Sequence, residues 1–108
     1  MMMNNLFQLP HPLPNTEQFE SLHQSENLLI ERIISTGQTT PEGQWYDQEQ
    51  DEWVVLLQGK AQLMYEDNSI VHLCPGDWVF IPAHQRHRVS YTSSEPPCIW
   101  LAIHGLLS

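Results

Sequence analysis

The sequence predicts an all-β fold, either a barrel or a sandwich of short strands, and two patterns support this prediction. From residue 28 onward, seven short segments rich in β-branched and aromatic residues follow one another at nearly regular spacing. Each gap between them holds glycine, proline or small polar residues, which favour turns. No stretch sustains the 3.6-residue period of an amphipathic helix. A run of short strands with turn chemistry in every gap is typical of all-β domains.

The strands can be assigned in order along the chain. They are predicted at residues 28–34, 53–57, 61–66, 70–73, 78–81, 88–92 and 98–104. Gly59 closes a hairpin between the second and the third of these segments. Residues 67–69 and 75–77 supply the next two turns, and Pro82 ends the strand that precedes it.

The first part of the chain differs from the rest, so we predict an N-terminal extension at residues 1–26 and a barrel domain at residues 27–108. Three prolines favour an extended path over the surface or onto a partner subunit, namely Pro10, Pro12 and Pro14. Residues 15–18 could cap one helical turn, with Phe19 and Leu22 on one side of it.

The strand at residues 53–57 is apolar on both faces. Side chains alternate across a strand, so a strand on the outside of a barrel should have one polar face. Either another layer covers its outer face, or that face belongs to a subunit interface. We prefer the second interpretation and expect a homodimer.

The charge balance excludes some partners. The chain has four basic and thirteen acidic residues, which give a formal net charge of −9. Such a chain repels phosphate backbones, so we expect no nucleic-acid binding, and we expect no electrostatic attachment to a membrane.

The expected location is cytoplasmic. Residues 1–10 contain no basic region and no long apolar run, so we expect no signal peptide. No apolar stretch approaches the length of a membrane-spanning helix. The two cysteines, Cys74 and Cys98, lie in apolar segments, and we expect both to be reduced and buried.

Two spacings within the strand region are the most specific signals. Glu52 is followed by six residues and then Gly59, whereas Gly76 is followed by five residues, then Pro82, and later His87. The two patterns occur in this order with one hairpin between them. They resemble the two sequence motifs of the cupin family, and the resemblance covers residues 28–104. It implies a cupin-type β-barrel, also described as a double-stranded β-helix or jelly roll, with Glu52 and His87 as metal ligands.

The first motif departs from the family pattern. The family usually has two histidines, one residue apart, three or four positions before the glutamate, but residues 45–52 contain no histidine. Under one spacing Tyr46 and Gln48 occupy the histidine positions, and under the other Trp45 and Asp47 do.

Two alternative metal sites follow from this departure. Tyr46, Gln48 and Glu52 share one parity, so they would point to one face of an extended segment and form a mixed site with His87. If Asp47 turned inward instead, Asp47, Glu52 and His87 would form a set of two carboxylates and one imidazole. Iron, manganese, nickel or zinc could occupy either site.

Other histidines have more ordinary expected roles. His84 is expected either to support the site through a hydrogen bond or to lie in solvent. His104, near the end of the last strand, could reach the cavity mouth, although a position at the surface is favoured. His72 and Cys74 share a strand face, but we interpret them as packing and rim residues.

Three functions remain open from the sequence. The first is a cupin that binds a divalent metal and a small molecule in the barrel, as an enzyme or as a binding protein. The second is a non-catalytic, metal-free module that binds a small ligand. The third is a barrel whose role is assembly. The residues do not define a substrate, a reaction or a pathway.

Overall fold

Eight strands in two antiparallel sheets make up the computed structural model, which describes residues 4–108. The strands are β1 (Gln18–Ser25), β2 (Leu28–Ser35), β3 (Asp51–Gln58), β4 (Ala61–Tyr65), β5 (Ile70–Leu73), β6 (Trp78–Ile81), β7 (His87–Thr92) and β8 (Cys98–Gly105). One sheet has five strands in the order β1-β2-β8-β3-β6, and the other has three in the order β5-β4-β7. The predicted all-β fold and its seven strands are confirmed.

The hydrophobic core lies between the two sheets. Inward side chains from β3 and β8 meet those of the three-stranded sheet in one cluster, formed by Val54, Leu56, Ala61, Leu63, Leu73, Ile81, Cys98, Trp100 and Ala102. Alternation along β3 explains its contribution, because Val54 and Leu56 share the inner face with Glu52. The same alternation therefore carries Glu52 to the inner side of the sheet.

Strand β1 was not predicted from the sequence. The helical turn expected at residues 15–18 is wrong, because Gln18 begins a strand that pairs antiparallel with β2. Phe19 lies opposite Ile33 in this pairing, on the inner side of the sheet, and Glu20 lies opposite Arg32. Residues 18–25 of the predicted extension thus form the edge of the five-stranded sheet.

Arg32 fastens the N-terminal segment to this sheet. Its guanidinium pairs with Glu20 and donates hydrogen bonds to the carbonyl oxygens of Leu6 and Gln8, at 3.0 and 2.6 Å. The planar guanidinium has several donors in a fixed geometry, so one side chain can hold both the edge strand and the preceding coil.

No helical segment able to span a bilayer occurs within residues 4–108.

The outer face of β3 is apolar, as the sequence suggested. Trp53 packs against Trp78 of β6 with ring centroids 5.8 Å apart, and Phe80 lies opposite Trp53 in the register. Trp78 is 59% exposed and Phe80 38% exposed. Nothing in residues 4–108 covers these two side chains fully, and the expected homodimer stays a prediction.

The two cysteines differ in environment. Cys98 is fully buried, as expected, and its thiol lies 3.2 Å from the carbonyl oxygen of Lys60. Cys74 is exposed, so the expectation of a buried thiol is wrong there. It directly follows β5 in the turn before β6, where its backbone N–H donates to Asp77 at 2.8 Å. The turn geometry places this side chain outside the core.

Gly59 provides the most direct test of the hairpin between β3 and β4. Its φ is +91°, and a Cβ at this position would lie 2.8 Å from both the Cys98 thiol and the Ser93 hydroxyl. Gly59→Ala should therefore lower the free energy of unfolding by about 3 kcal/mol, through backbone strain and steric overlap together. Urea denaturation measures this loss.

Gly43→Ala is the matched control for that substitution. Gly43 has a φ of +85°, yet a Cβ there would meet nothing within 4 Å. Gly43→Ala should lower the free energy of unfolding by only about 1 kcal/mol, because it adds backbone strain without steric overlap. Equal losses for the two variants would contradict the role assigned to the close contact at Gly59.

Candidate functional site

The inner faces of the two sheets enclose a cavity of about 70 Å³ at one end of the core. Its apolar walls include Phe19, Val54, Leu63 and Trp100, and its polar side chains are Glu17, Glu31, Tyr46, Gln48, Glu52, His87 and His104. No lysine or arginine of residues 4–108 lines it. A small apolar chamber with a few converging polar groups is the usual form of a ligand site.

Four of the five residues predicted for the site line this cavity: Tyr46, Gln48, Glu52 and His87. Asp47 does not. Its carboxylate accepts a hydrogen bond from His84 at 2.9 Å and lies 3.8 Å from Arg86, and its side chain is 45% exposed. The structure therefore brings Tyr46 and Gln48, rather than Asp47, to the side of Glu52 and His87.

Glu52 and His87 face each other across the cavity. The distance from Glu52 Oε1 to His87 Nε2 is 3.9 Å, which is too long for a hydrogen bond. Both side chains are more than nine-tenths buried. No hydrogen bond to the Glu52 carboxylate occurs within residues 4–108. The carboxylate and the ring nitrogen are thus both free to bind an atom placed between them.

A backbone contact defines the tautomer of neutral His87. Its Nδ1 lies 2.9 Å from the carbonyl oxygen of Gln85. A carbonyl oxygen only accepts, so Nδ1 carries the proton and donates it. Nε2 of the neutral ring is then an unprotonated acceptor that faces Glu52.

Tyr46 holds the His87 ring in place. The two backbones form a bridge, in which Tyr46 N–H donates to His87 O at 2.7 Å and His87 N–H donates to Tyr46 O at 3.2 Å. Their rings stack with centroids 5.5 Å apart and an interplanar angle of 23°. The bridge and the stacking together limit the movement of the imidazole.

His104 forms a second pair in the cavity, so the expectation that it lies at the surface is wrong. Its Nε2 lies 2.9 Å from Glu31 Oε1, and the residue is only 8% exposed. It faces inward because Trp100, Ala102 and His104 alternate along β8. The hydrogen bond with Glu31 raises the pKa of His104, as does the charge of Glu52, while burial opposes the shift.

Two cavity carboxyls, those of Glu52 and Glu17, have pKa values raised above the ordinary glutamate value. Burial raises the pKa of Glu52, the charge of Glu31 raises it further, and the two histidines only partly offset this. Burial also raises the pKa of Glu17, although a hydrogen bond from Ser35 at 2.6 Å opposes the shift. Removal from water disfavours the ionised form, and neither acid has a cationic side chain that fully compensates for this.

Sequence reasoning missed Glu17 and Glu31, and it favoured a surface position for His104 over the cavity. Leu29, Glu31 and Ile33 alternate along an apolar strand, so an inward carboxylate at Glu31 could have been identified from parity. The same parity argument applies to His104 after Trp100. Glu17 gave no such signal, because it precedes a strand that the sequence did not predict.

The cavity opens into a shallow depression of about 470 Å³. Glu31, Gln48 and His104 line both spaces, and Leu29, Glu49 and Gln50 complete the outer one. In the part of the chain that the structure describes, no basic side chain other than His104 lines this entrance. A ligand approaching the cavity therefore passes acidic groups before it reaches Glu52.

The donor set does not fit a tightly held divalent metal. Within residues 4–108, no group of three or more histidine, cysteine, aspartate or glutamate side chains converges on one point that could hold a metal ion. Among the described residues, only Glu52 and His87 approach each other with free donor atoms, since His104 and Glu31 are hydrogen-bonded to one another. Tight sites for zinc and similar metals usually have at least three such ligands.

Comparison with known proteins identifies the family. The sequence model of the cupin domain matches residues 33–104. The chain belongs to the cupin family. No curated protein sequence matches it.

Similar solved structures extend the comparison. A protein from Ralstonia eutropha JMP134, provisionally assigned as a mannose-6-phosphate isomerase, is 44% identical, with a TM-score of 0.89 over 98% of this chain and 99% of that one. A cupin superfamily protein from Desulfitobacterium hafniense is 21% identical, with a TM-score of 0.71 over 95% and 99% of the two chains. A polyketide cyclase from Streptomyces resistomycificus is 16% identical, with a TM-score of 0.72 over 97% and 79%. The last two show the fold alone.

Glu52→Gln should stabilise the protein at neutral pH. A carboxyl whose pKa is raised on folding favours the folded state below its unfolded pKa, and this contribution is lost as pH rises through the folded pKa. The amide keeps the shape and removes the cost of burying a charge. We expect a gain of about 1 kcal/mol at pH 7.5 that disappears near pH 4, measured by urea denaturation at several pH values.

Glu42→Gln is the control for this effect, because Glu42 is exposed and lies outside the cavity. It should leave stability unchanged at both pH values. A Glu52→Gln variant that is less stable than the wild type at pH 7.5 would show that the ionised carboxylate is compensated in the folded protein.

Proposed function

We propose that this cupin binds a small organic molecule in the barrel cavity and transfers protons on it through Glu52 and His87, without a tightly held metal. One observation carries the proposal. The carboxyl of Glu52 and the Nε2 atom of His87 are buried, have no hydrogen-bond partner within residues 4–108, and face each other at 3.9 Å.

The two groups are suited to opposite roles. Because its pKa is raised, the Glu52 carboxylate takes up a proton more readily than an ordinary glutamate, and its protonated form can donate that proton to a bound molecule. Neutral His87 presents the unprotonated Nε2 to the same space and can accept one, while Nδ1 stays bonded to Gln85 O. Adjacent titratable groups in different environments commonly divide acid and base roles in this way.

Apolar packing around the pair supports this chemistry. Val54, Leu63 and Trp100 line the cavity beside Glu52, so a bound molecule would displace water from it. Proton transfer is more effective between positioned groups in a site that excludes water. The 44% identical protein from Ralstonia eutropha has the provisional name of an isomerase, a class of enzyme that rearranges atoms within one molecule. This name is consistent with a pair that can both donate and accept a proton.

A divalent metal between Glu52 and His87 is the second candidate, in keeping with the family. It is favoured by the unprotonated Nε2 of His87, since a metal-bound histidine usually donates its other N–H to a carbonyl or carboxylate. Gln48 could add an amide oxygen. Iron, manganese, nickel or zinc held by these groups alone would be removed by mild chelation.

The proposal predicts proton exchange that needs no metal. Chelator-treated protein is incubated in D₂O with small aldehydes and ketones, with and without an amino group, and deuterium incorporation is followed by ¹H NMR. At least one compound should exchange a carbon-bound hydrogen, and Glu52→Gln and His87→Gln should each slow this by about 100-fold. Glu42→Gln should exchange at the wild-type rate.

Three results would contradict the proposal. They are exchange at equal rates in all variants, no exchange with any compound of the panel, and exchange that appears only when manganese, iron, nickel or zinc is added. Elemental analysis of untagged protein and of His87→Ala accompanies the assay. One metal ion per wild-type chain that is lost in His87→Ala would establish the second candidate instead.

A further inference from the structure

We propose that the cavity selects small organic ammonium cations and excludes anions, so that its ligand is a primary amine with an apolar part rather than a phosphate ester. This inference rests on the proposed function for the location of the ligand and adds its charge class.

The charges that line the cavity support a cation. Three carboxyl groups face it, those of Glu17, Glu31 and Glu52, and no lysine or arginine among residues 4–108 does. His104 can neutralise Glu31, to which it is hydrogen-bonded at 2.9 Å. His87 also lines the cavity, but its Nε2 lies 3.9 Å from Glu52, beyond hydrogen-bond distance. Glu17 and Glu52 therefore have no hydrogen-bonded basic partner within the described residues, and an ammonium group would supply donors and a positive charge.

Glu52 gives an independent indication of a ligand at this point. Its side chain is nine-tenths buried and points into the cavity, and no hydrogen bond to it occurs in the described part of the chain. Buried carboxylates are normally hydrogen-bonded or paired, so an unpartnered one marks a place where a donor is missing. A primary ammonium has three donors and one positive charge, which matches this requirement.

The other walls define the rest of the ligand. Val54, Leu63 and Trp100 offer an apolar surface, and the aromatic rings of Phe19 and Tyr46 also line the cavity. Aromatic faces attract ammonium groups, and an alkyl chain gains from the apolar wall. The volume of about 70 Å³ restricts the buried part to a few heavy atoms.

The same features oppose a phosphate. A phosphate group needs basic side chains or a cluster of free backbone N–H groups, and no lysine or arginine among the described residues lines the cavity or its entrance. The acidic residues at the entrance, Glu31 and Glu49, also repel an approaching anion. On this basis the ligand of this chain differs from the sugar phosphate in the provisional name of its 44% identical relative from Ralstonia eutropha.

A matched series of three probes tests the inference. Butylammonium is a cation, butan-1-ol is neutral and butyrate is an anion, and all three have similar alkyl chains. Each is titrated at pH 7.5 and constant ionic strength into ¹⁵N-labelled protein. Binding is followed at the indole N–H of Trp100, which lines the cavity and donates to Ser35 Oγ. Butylammonium should bind at least about tenfold more tightly than butan-1-ol, and butyrate should show no saturable shift.

Variants in which an amide replaces a carboxylate show which residue causes the preference for the ammonium group. Glu52→Gln should reduce the preference for butylammonium over butan-1-ol to less than about threefold, and Glu17→Gln should reduce it in part. Glu42→Gln should keep the wild-type preference. The amide spectrum of each variant reports whether the fold is retained.

Any one of four results would overturn the inference: equal affinity for the amine and the alcohol, saturable binding of butyrate or mannose 6-phosphate, no amine-dependent shift at cavity residues, or a charge preference unchanged in both Glu52→Gln and Glu17→Gln. Because no turnover is measured, the outcome is independent of the proton-exchange assay. If the amine binds but no proton exchange is found, the proposed function is wrong and the preference for a cation stands. If proton exchange is found but the amine is not preferred, the proposed function stands and the preference for a cation is wrong.

Discussion

The buried carboxyl of Glu52, held without a hydrogen-bond partner in the described residues, is the constraint on which the site depends. Its position is determined by β3, which pairs with β8 on one side and β6 on the other, so that Glu52 lies opposite both His104 and Ile81. A central strand with two ladders of hydrogen bonds cannot rotate to release one side chain. The sheet therefore keeps an acid in a place where water cannot fully solvate it, and the free energy of folding elsewhere in the core offsets that cost.

Asp51, the residue before Glu52, shows that the lack of hydrogen bonds at Glu52 depends on its position in the strand. Asp51 accepts hydrogen bonds from the backbone of Ala83 and Leu107, at 2.8 and 3.0 Å, and these bonds lower its pKa. Glu52 is one residue further along the same strand and points to the opposite face. One carboxylate fastens the ends of two other segments, whereas the next is available for a ligand. The two roles differ because successive side chains alternate across a strand.

Much of the fold could be predicted from the sequence because strand periodicity and turn residues are local signals. The seven strands from β2 to β8 each carry an apolar pattern between turns, whereas β1 is polar and largely exposed, so its pairing depends on Ile33 and Arg32 of a different strand. The candidate site divides in the same way. Glu52 and His87, which line the cavity, were predicted as site residues from the spacing of the two cupin motifs.

The other residues that line the cavity could not be predicted to the same extent. The segment at residues 45–50 lies outside the regular strands, so parity alone did not decide between Asp47 and Gln48. The outcome depends on tertiary contacts, since His84 and Arg86 hold Asp47 on the surface. Glu17 and Glu31 lie distant in sequence from Glu52 and meet it only when β1 and β2 join the sheet. Their effect on its environment is a property of the folded chain.

The most direct measurement of the central claim is the pKa of Glu52 itself, obtained by ¹³C NMR titration of its side-chain carboxyl and assigned by its absence in Glu52→Gln. This carboxyl should titrate above the ordinary glutamate value, and its shift should depend on the protonation of His104 and His87. A Glu52 carboxyl that titrates at or below the ordinary value would mean that a cationic or hydrogen-bonding partner compensates it in solution. The account of an unpartnered acid at the centre of the site would then be wrong.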